Sequence, residues 1–238
     1  MQNTFGDVFA GLPLACATVC MALASAAAAL AQVGIVRTIE GRVSVFSGRP
    51  ECAPRHGLDV DEGDVVRTGE KSWALLTMMD GARIIVRPDT EVRLDTYRYT
   101  EAGESAQNRA AFTLTHGAVR VTSGRISGAR NSGVIFNTPD ASMDMRGTDS
   151  DVAYITPKFS LSPAAQAGTY GRSFAGNAAL KNPHGEVTLR AGQTAYTEPR
   201  DKKPPRVLPS DPYFYHWYSH IDHRVVTVLD QLEAGTAR

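Results

Sequence analysis

An all-β fold is what this sequence predicts. Three observations carry the expectation: short runs of β-branched residues with period-two alternation, turn signals recurring between them, and one Asp-Gly hairpin dipeptide at Asp80-Gly81. Short antiparallel or stacked strands in such a series build a β-sandwich or a β-solenoid-like domain. The strand period is the same in both, so the sequence leaves that choice open.

The elements follow in order. Residues 34–38 and 42–46 carry β-branched side chains on either side of a turn at Gly41. Residues 72–78 form a third strand that runs into Asp80-Gly81, where both turn positions must accept positive φ. Residues 83–87 return, Pro88-Asp89-Thr90 turns the chain, and residues 91–95 alternate polar and apolar. Residues 112–115 precede a turn at His116-Gly117, after which residues 118–121 resume as a strand. Residues 134–136, 142–145 and 151–155 are further strands. Between the last two, Arg146-Gly147-Thr148-Asp149 reads as a break, because glycine takes backbone conformations that a Cβ forbids. Residues 100–110 and 160–168 read as loops. Residues 198–212, rich in proline and charge, form a linker or an extended strap.

The two ends differ from this body. Residues 1–31 hold no Lys or Arg and one acid, Asp7; the apolar, Ala-rich run ends in Ala29-Leu30-Ala31, an A-x-A type cleavage pattern. A secretory signal peptide over 1–31 is expected, which places the protein in the periplasm or outside the cell, with no integral span after cleavage. A retained anchor is the alternative. In the tail, over 213–238, Tyr213, Phe214, Trp217 and Tyr218 form an aromatic cluster, and Ile221, Val225, Val228, Leu229 and Leu232 fall on one face of an α-helix. Such a face either docks on the β-domain or meets a partner, and the four aromatics are the candidate partner-binding residues.

Composition limits function. The 238 residues carry 25 Lys+Arg and 25 Asp+Glu, so no basic excess points to nucleic acid. Beyond residue 31 only Cys52 remains, which excludes an intrachain disulfide framework in the exported chain. Walker A, dinucleotide GxGxxG, HExxH and GxSxG patterns are missing; the stretch from Gly171 through Ser173 to Gly176 is one residue too long for a nucleophile elbow. No catalytic residue is assigned, and a non-enzyme is expected. His216, His220 and His223 have a spacing that would bring three imidazoles near one helix face. Their aromatic neighbours suit a docking surface, and no metal or cofactor is expected.

Several phrases in order resemble the FecR-domain family, named for the periplasmic sensor of iron-citrate signalling. They are Gly63-Asp64-Val65-Val66-Arg67-Thr68-Gly69, Ser72 with Ala74 and Leu76, Asp80-Gly81 through Ile84, Val86 and Pro88, and Leu114-Thr115-His116-Gly117-Ala118-Val119. Thr138-Pro139-Asp140-Ala141, Arg146-Gly147-Thr148 and Ala191-Gly192-Gln193 complete them. The resemblance spans a β-domain over residues 33–197. Ser150 departs from it, standing where the family has a bulky apolar residue. Sensing members of the family carry a cytoplasmic anti-sigma segment and a transmembrane helix before this domain. Only ten residues precede the apolar run here, so the signal-transducing role is not expected to carry over intact, and what the resemblance implies is an exported binding module of the cell envelope for a ligand or protein. A component or regulator of a cell-surface signalling system and a structural envelope protein are the alternatives. The expected partner is an envelope protein or a glycan. Arg146, Asp80 and Asp64 are the candidate ligand-binding residues of the β-domain.

Overall fold

The computed structural model describes residues 32–47, 57–101, 107–128, 133–157, 165–200, 202–212 and 223–225. They form fourteen strands: β1 (Gln32–Glu40), β2 (Val43–Phe46), β3 (Leu58–Asp61), β4 (Val65–Thr68), β5 (Trp73–Met78), β6 (Arg83–Val86) and β7 (Glu91–Arg98). They continue with β8 (Arg109–Thr122), β9 (Gly133–Asn137), β10 (Ser142–Ile155), β11 (Gly168–Asn182), β12 (Gly185–Leu189), β13 (Thr194–Thr197) and β14 (Arg206–Val207). All belong to one hydrogen-bonded sheet. Every pairing is antiparallel except β8 with β9.

This sheet folds over into two layers, because three long strands belong to both. The first layer runs β3-β1-β5-β6-β8-β10-β11-β13-β14, and the second runs β2-β4-β7-β8-β9-β10-β11-β12. In β8, residues up to His116 pair with β7 and β9, whereas residues from Gly117 onward pair with β6 and β10. In β10, residues 142–145 pair with β9 and residues 149–154 with β8. β11 divides likewise between β13 and β12. Each strand crosses at a glycine with positive φ: Gly117 at 90°, Gly147 at 64° and Gly176 at 73°. Gly117 lies opposite Tyr154, while the β10 crossing at Gly147 lies just before the Asp149–Thr122 pair, so the strands cross at opposite ends of the segment they share.

Residues 112–115 and 118–121, read from the sequence as two strands, are thus one bent strand. The same holds for 142–145 and 151–155. At these glycines the chain turns a corner without losing its ladder, because a new neighbour takes up the hydrogen bonds on the far side. Gly117 could not be replaced freely. A Cβ there would stand 2.5 Å from Thr90 Cα, 2.6 Å from Asp89 O and closer still to Thr90 Oγ1.

The main core lies between the layers. Ala74, Leu76, Ile84, Val86, Val119, Val121 and Val152 point into it from the first layer. Val66, Val92, Leu94, Phe112, Leu114, Phe136, Met143 and Leu180 point into it from the second. Phe112 and Phe136, paired in register, stack with centroids 4.6 Å apart. The opposite face of the first layer carries a second apolar cluster of Trp73, Leu75, Ile85, Ala118, Ala153, Ile155, Tyr170 and Tyr196. Val225, in the helical turn at 223–225, is fully buried in it, and Leu208 packs at its edge. Burial on both faces accounts for the continuous apolar run of β5, where a one-sided sheet would alternate.

Residues 202–212 lie as a strap beside this second cluster. β14 pairs with β13, the Leu208 amide donates to Thr194 O, and Arg224 pairs with Glu40 at 2.8 Å. Among the described residues no helix is long and apolar enough to cross a membrane. Ile221, Val228, Leu229 and Leu232 of the expected helix lie outside the described residues.

Candidate functional site

Asp80 closes the β5–β6 hairpin and is 2% exposed. Its Oδ1 accepts from the Ala82 amide at 3.1 Å and from the Tyr97 hydroxyl at 2.7 Å; its Oδ2 accepts from the Ile126 amide at 3.1 Å. The Asp80 amide in turn donates to the Tyr97 oxygen. A short carboxylate at an Asp-Gly turn thus ties three separated segments together. Burial first, then the Asp80 charge and hydrogen bond, push the Tyr97 phenol far above its ordinary pKa, which keeps it a donor.

Asp64 is equally buried, with Oδ2 accepting from the Asp61 amide at 2.9 Å across the β3–β4 turn. Its carbonyl accepts from the Leu94 amide, which locks the turn to β7. Arg146 stands apart from both. Its side chain is 71% exposed on the outer face of the second layer, and it pairs with Asp144 through Nε at 3.1 Å and Nη2 at 2.8 Å. The two acids hold buried turns, while the arginine is presented to solvent. Ser173 is buried, and its hydroxyl donates to the Ala175 and Gly176 carbonyls. Ser150 faces it across the β10–β11 ladder and is also buried. Tyr213, Phe214, Trp217, Tyr218, His216 and His220 lie outside the described residues. Among the described residues no group of three His, Cys, Asp or Glu side chains is placed to hold a metal ion.

Two groupings of functional interest escaped the sequence reading, which had singled out Arg146 alone among their members. One is on the covered face of the first layer. Arg87 and Asp151 form an ion pair at 3.0 Å with both side chains 1% exposed. Beside it, Arg120 pairs with Asp149 through two hydrogen bonds, and Arg172 pairs with Asp211 at 2.8 Å. The Arg120 and Arg172 guanidiniums stand 4.4 and 4.5 Å from the Phe174 ring centroid. These charges flank the second apolar cluster and fasten the strap at Asp211.

The other group lies on the exposed face of the second layer. Arg98 of β7 faces Arg109 of β8, and Arg109 faces Gly133 of β9. Val134 faces Met145, so Gly133 and Arg146 continue the same row. Three arginines therefore cross four strands in one line with a glycine between the second and third. Period two places each of them outward beside the buried residues Tyr97, Ala110 and Met145. The alternation was readable within each strand; the row was not, because it depends on pairings between distant segments.

The fold and these faces define a two-layer all-β domain whose polar groups are spread over sheet faces rather than gathered in one cleft. Residues 64–162 match the family described as FecR protein. The matched part holds the corners of both β8 and β10 and the buried Arg87–Asp151 pair. Two crystal structures of a candidate anti-sigma factor from Parabacteroides distasonis ATCC 8503 are similar, each at 11% identity and a TM-score of 0.46. The likeness covers 62% of this chain and 60% of that one. No curated protein matches.

Proposed function

We propose that this protein is an exported component of a cell-surface signalling system, and that its β-domain is the part that binds a partner. The FecR match over residues 64–162 carries the reading. The geometry is compatible with recognition by a rigid surface. Asp64 and Asp80 are committed to backbone amides, and the exposed second layer presents fixed charged side chains on hydrogen-bonded strands. Among the described residues β12 has a sheet neighbour on one side, β11, and alternates exposed Glu186 and Thr188 with less exposed Val187 and Leu189. An envelope protein adding a strand at this edge is the proposed mode of contact.

The reading is tested in the cell that makes the protein. Deleting its gene should change a confined set of transcripts governed by one alternative sigma factor. Returning the full chain should restore them, and a chain with Thr188→Pro in β12, whose amide faces away from β11, should not. A proline there removes a backbone donor from the edge. Thermal melting of that variant separates loss of contact from loss of fold. Unchanged transcripts on deletion, in cells where the protein is made and exported, would overturn the proposal.

A further inference from the structure

The arginine row on the second layer has a stability cost and no evident structural purpose. Arg98 and Arg109 lie directly opposite each other in the β7–β8 ladder, an arrangement that disfavours the sheet. Glu62 relieves one side only: its Oε2 accepts from Arg98 Nη1 at 2.9 Å and also from the Tyr97 amide. Among the described residues Arg109 has no acidic partner. Arg146 is engaged by Asp144 through Nε and Nη2 and keeps the rest of its five-donor fork. From Arg109 to Arg146 is two strand spacings, about 10 Å.

A half-open cavity of about 520 Å³ adjoins the Arg98–Arg109 end, within the size range of small-ligand sites. Thr100, Gln107 and Asn108 supply hydroxyl and amide groups to its wall, while Tyr99, on the inward-facing side with Tyr97, packs against the main core. The Asn108 side chain bonds both the amide and the carbonyl of Thr100, so this wall is held in shape. Arg125 reaches the Tyr99 hydroxyl from outside and pairs with Glu101.

The row crosses the interior of the layer. β8, β9 and β10 have hydrogen-bonded neighbours on both sides along the row, while the pairing of β7 with β4 ends at Arg93 and the Tyr97 amide beyond it donates to Glu62. Recognition across the middle of this face therefore runs through side chains. Guanidiniums set in a row suit a run of carboxylates, and amides and hydroxyls suit sugar hydroxyls.

We propose that this face binds an acidic oligosaccharide, with carboxylates on Arg98, Arg109 and Arg146 and one sugar residue seated in the cavity. The site does not rest on the signalling reading, and its test is made with purified protein.

The full chain is titrated by calorimetry with a short oligogalacturonate, with a neutral galacto-oligosaccharide of the same length, and with an oligoglutamate peptide. Binding of the oligogalacturonate is expected, weakening as salt rises. Arg109→Gln and Arg146→Gln should each weaken it about tenfold, since each removes a charge-assisted hydrogen-bonding fork. Arg190→Gln, at an exposed arginine outside the row, should leave it unchanged. Arg109→Gln should also melt no lower than the native chain, because it removes a like-charge pair; a merely structural arginine would lower the melting point. Equal binding of the neutral sugar, tighter binding of oligoglutamate, an equal loss in Arg190→Gln, or no binding of oligogalacturonate would each overturn the proposal.

Discussion

Replacing Gly117 by alanine should be among the most damaging single changes available to the exposed half of this domain. Its φ of 90° is one that an L side chain adopts at a cost of about 1–2 kcal/mol. A Cβ would also overlap Thr90, at 2.5 Å from its Cα, and displace its hydroxyl. That hydroxyl accepts from the Ala118 amide at 2.9 Å and donates toward the Ala118 and Pro88 carbonyls. Each bond lost adds about 1 kcal/mol, bringing the total to roughly 3–4 kcal/mol. Gly147, the corresponding corner of β10, is the internal comparison. Its φ is 64°, but a Cβ would meet only Ser127 O at 3.9 Å, so Gly147→Ala should cost the conformational part alone, about 1–2 kcal/mol. Urea unfolding followed by fluorescence of buried Trp73 measures both variants. For a domain of this size, 3 kcal/mol corresponds to a fall in melting temperature of about 6–12 °C. If Gly117→Ala proved no costlier than Gly147→Ala, crowding at the β8 corner would not be what requires glycine.

Two further outcomes are expected. Arg87→Met and Asp151→Leu should each destabilise by about 3–5 kcal/mol, because each leaves one charge of a buried pair uncompensated; the double variant should recover most of the loss in a double-mutant cycle, and additive losses would contradict the account. His116 is held below its ordinary pKa of 6.5 by burial, against the opposing pull of Glu91. As pH falls through that value the unfolded chain takes up the proton first, so stability present near pH 7.5 should decline toward pH 5.5. Melting temperatures of His116→Asn across that range should show a shallower slope, and an unchanged slope would assign the effect to another group.

The strand content was legible because period-two alternation is a local property. The hairpin at Asp80-Gly81 appears where expected, but only Gly81 takes positive φ; Asp80 keeps ordinary backbone and fixes the turn through its carboxylate. The strand breaks were harder. Glycines 117 and 147 look like turns in sequence because positive φ is a turn signature, yet each marks a bend within one strand. Whether the chain reverses or merely changes layer depends on which strand waits beyond the glycine, and that is not local information. Arg87 was hidden for a related reason. It ends a strand next to Pro88, and nothing local in the sequence marks it as 1% accessible and paired with Asp151, 64 residues further on. Of the candidate ligand residues, Arg146 stands on an exposed face, while Asp64 and Asp80 have strong local duties at turns. Asp80 stood out through its Asp-Gly turn and Asp64 through the phrase shared with the FecR family, and in both the carboxylate holds a turn.

The sharing of β8, β10 and β11 between layers has a consequence for how the protein responds to force and to unfolding. In an ordinary sandwich the two sheets meet only through side chains and can slide or part like stacked plates. Here the covalent chain and its ladder run through the corners, so opening either layer breaks hydrogen bonds in the other. Amide protons on both sides of Gly117, Gly147 and Gly176 must therefore exchange through a common opening rather than layer by layer. A molecule pulling on the β12 edge would load β11 directly, and through it the covered face and the Asp211 fastening. The domain is built to transmit tension as a single stiff body, and the place where that tension reaches the tail is the strap beyond β13.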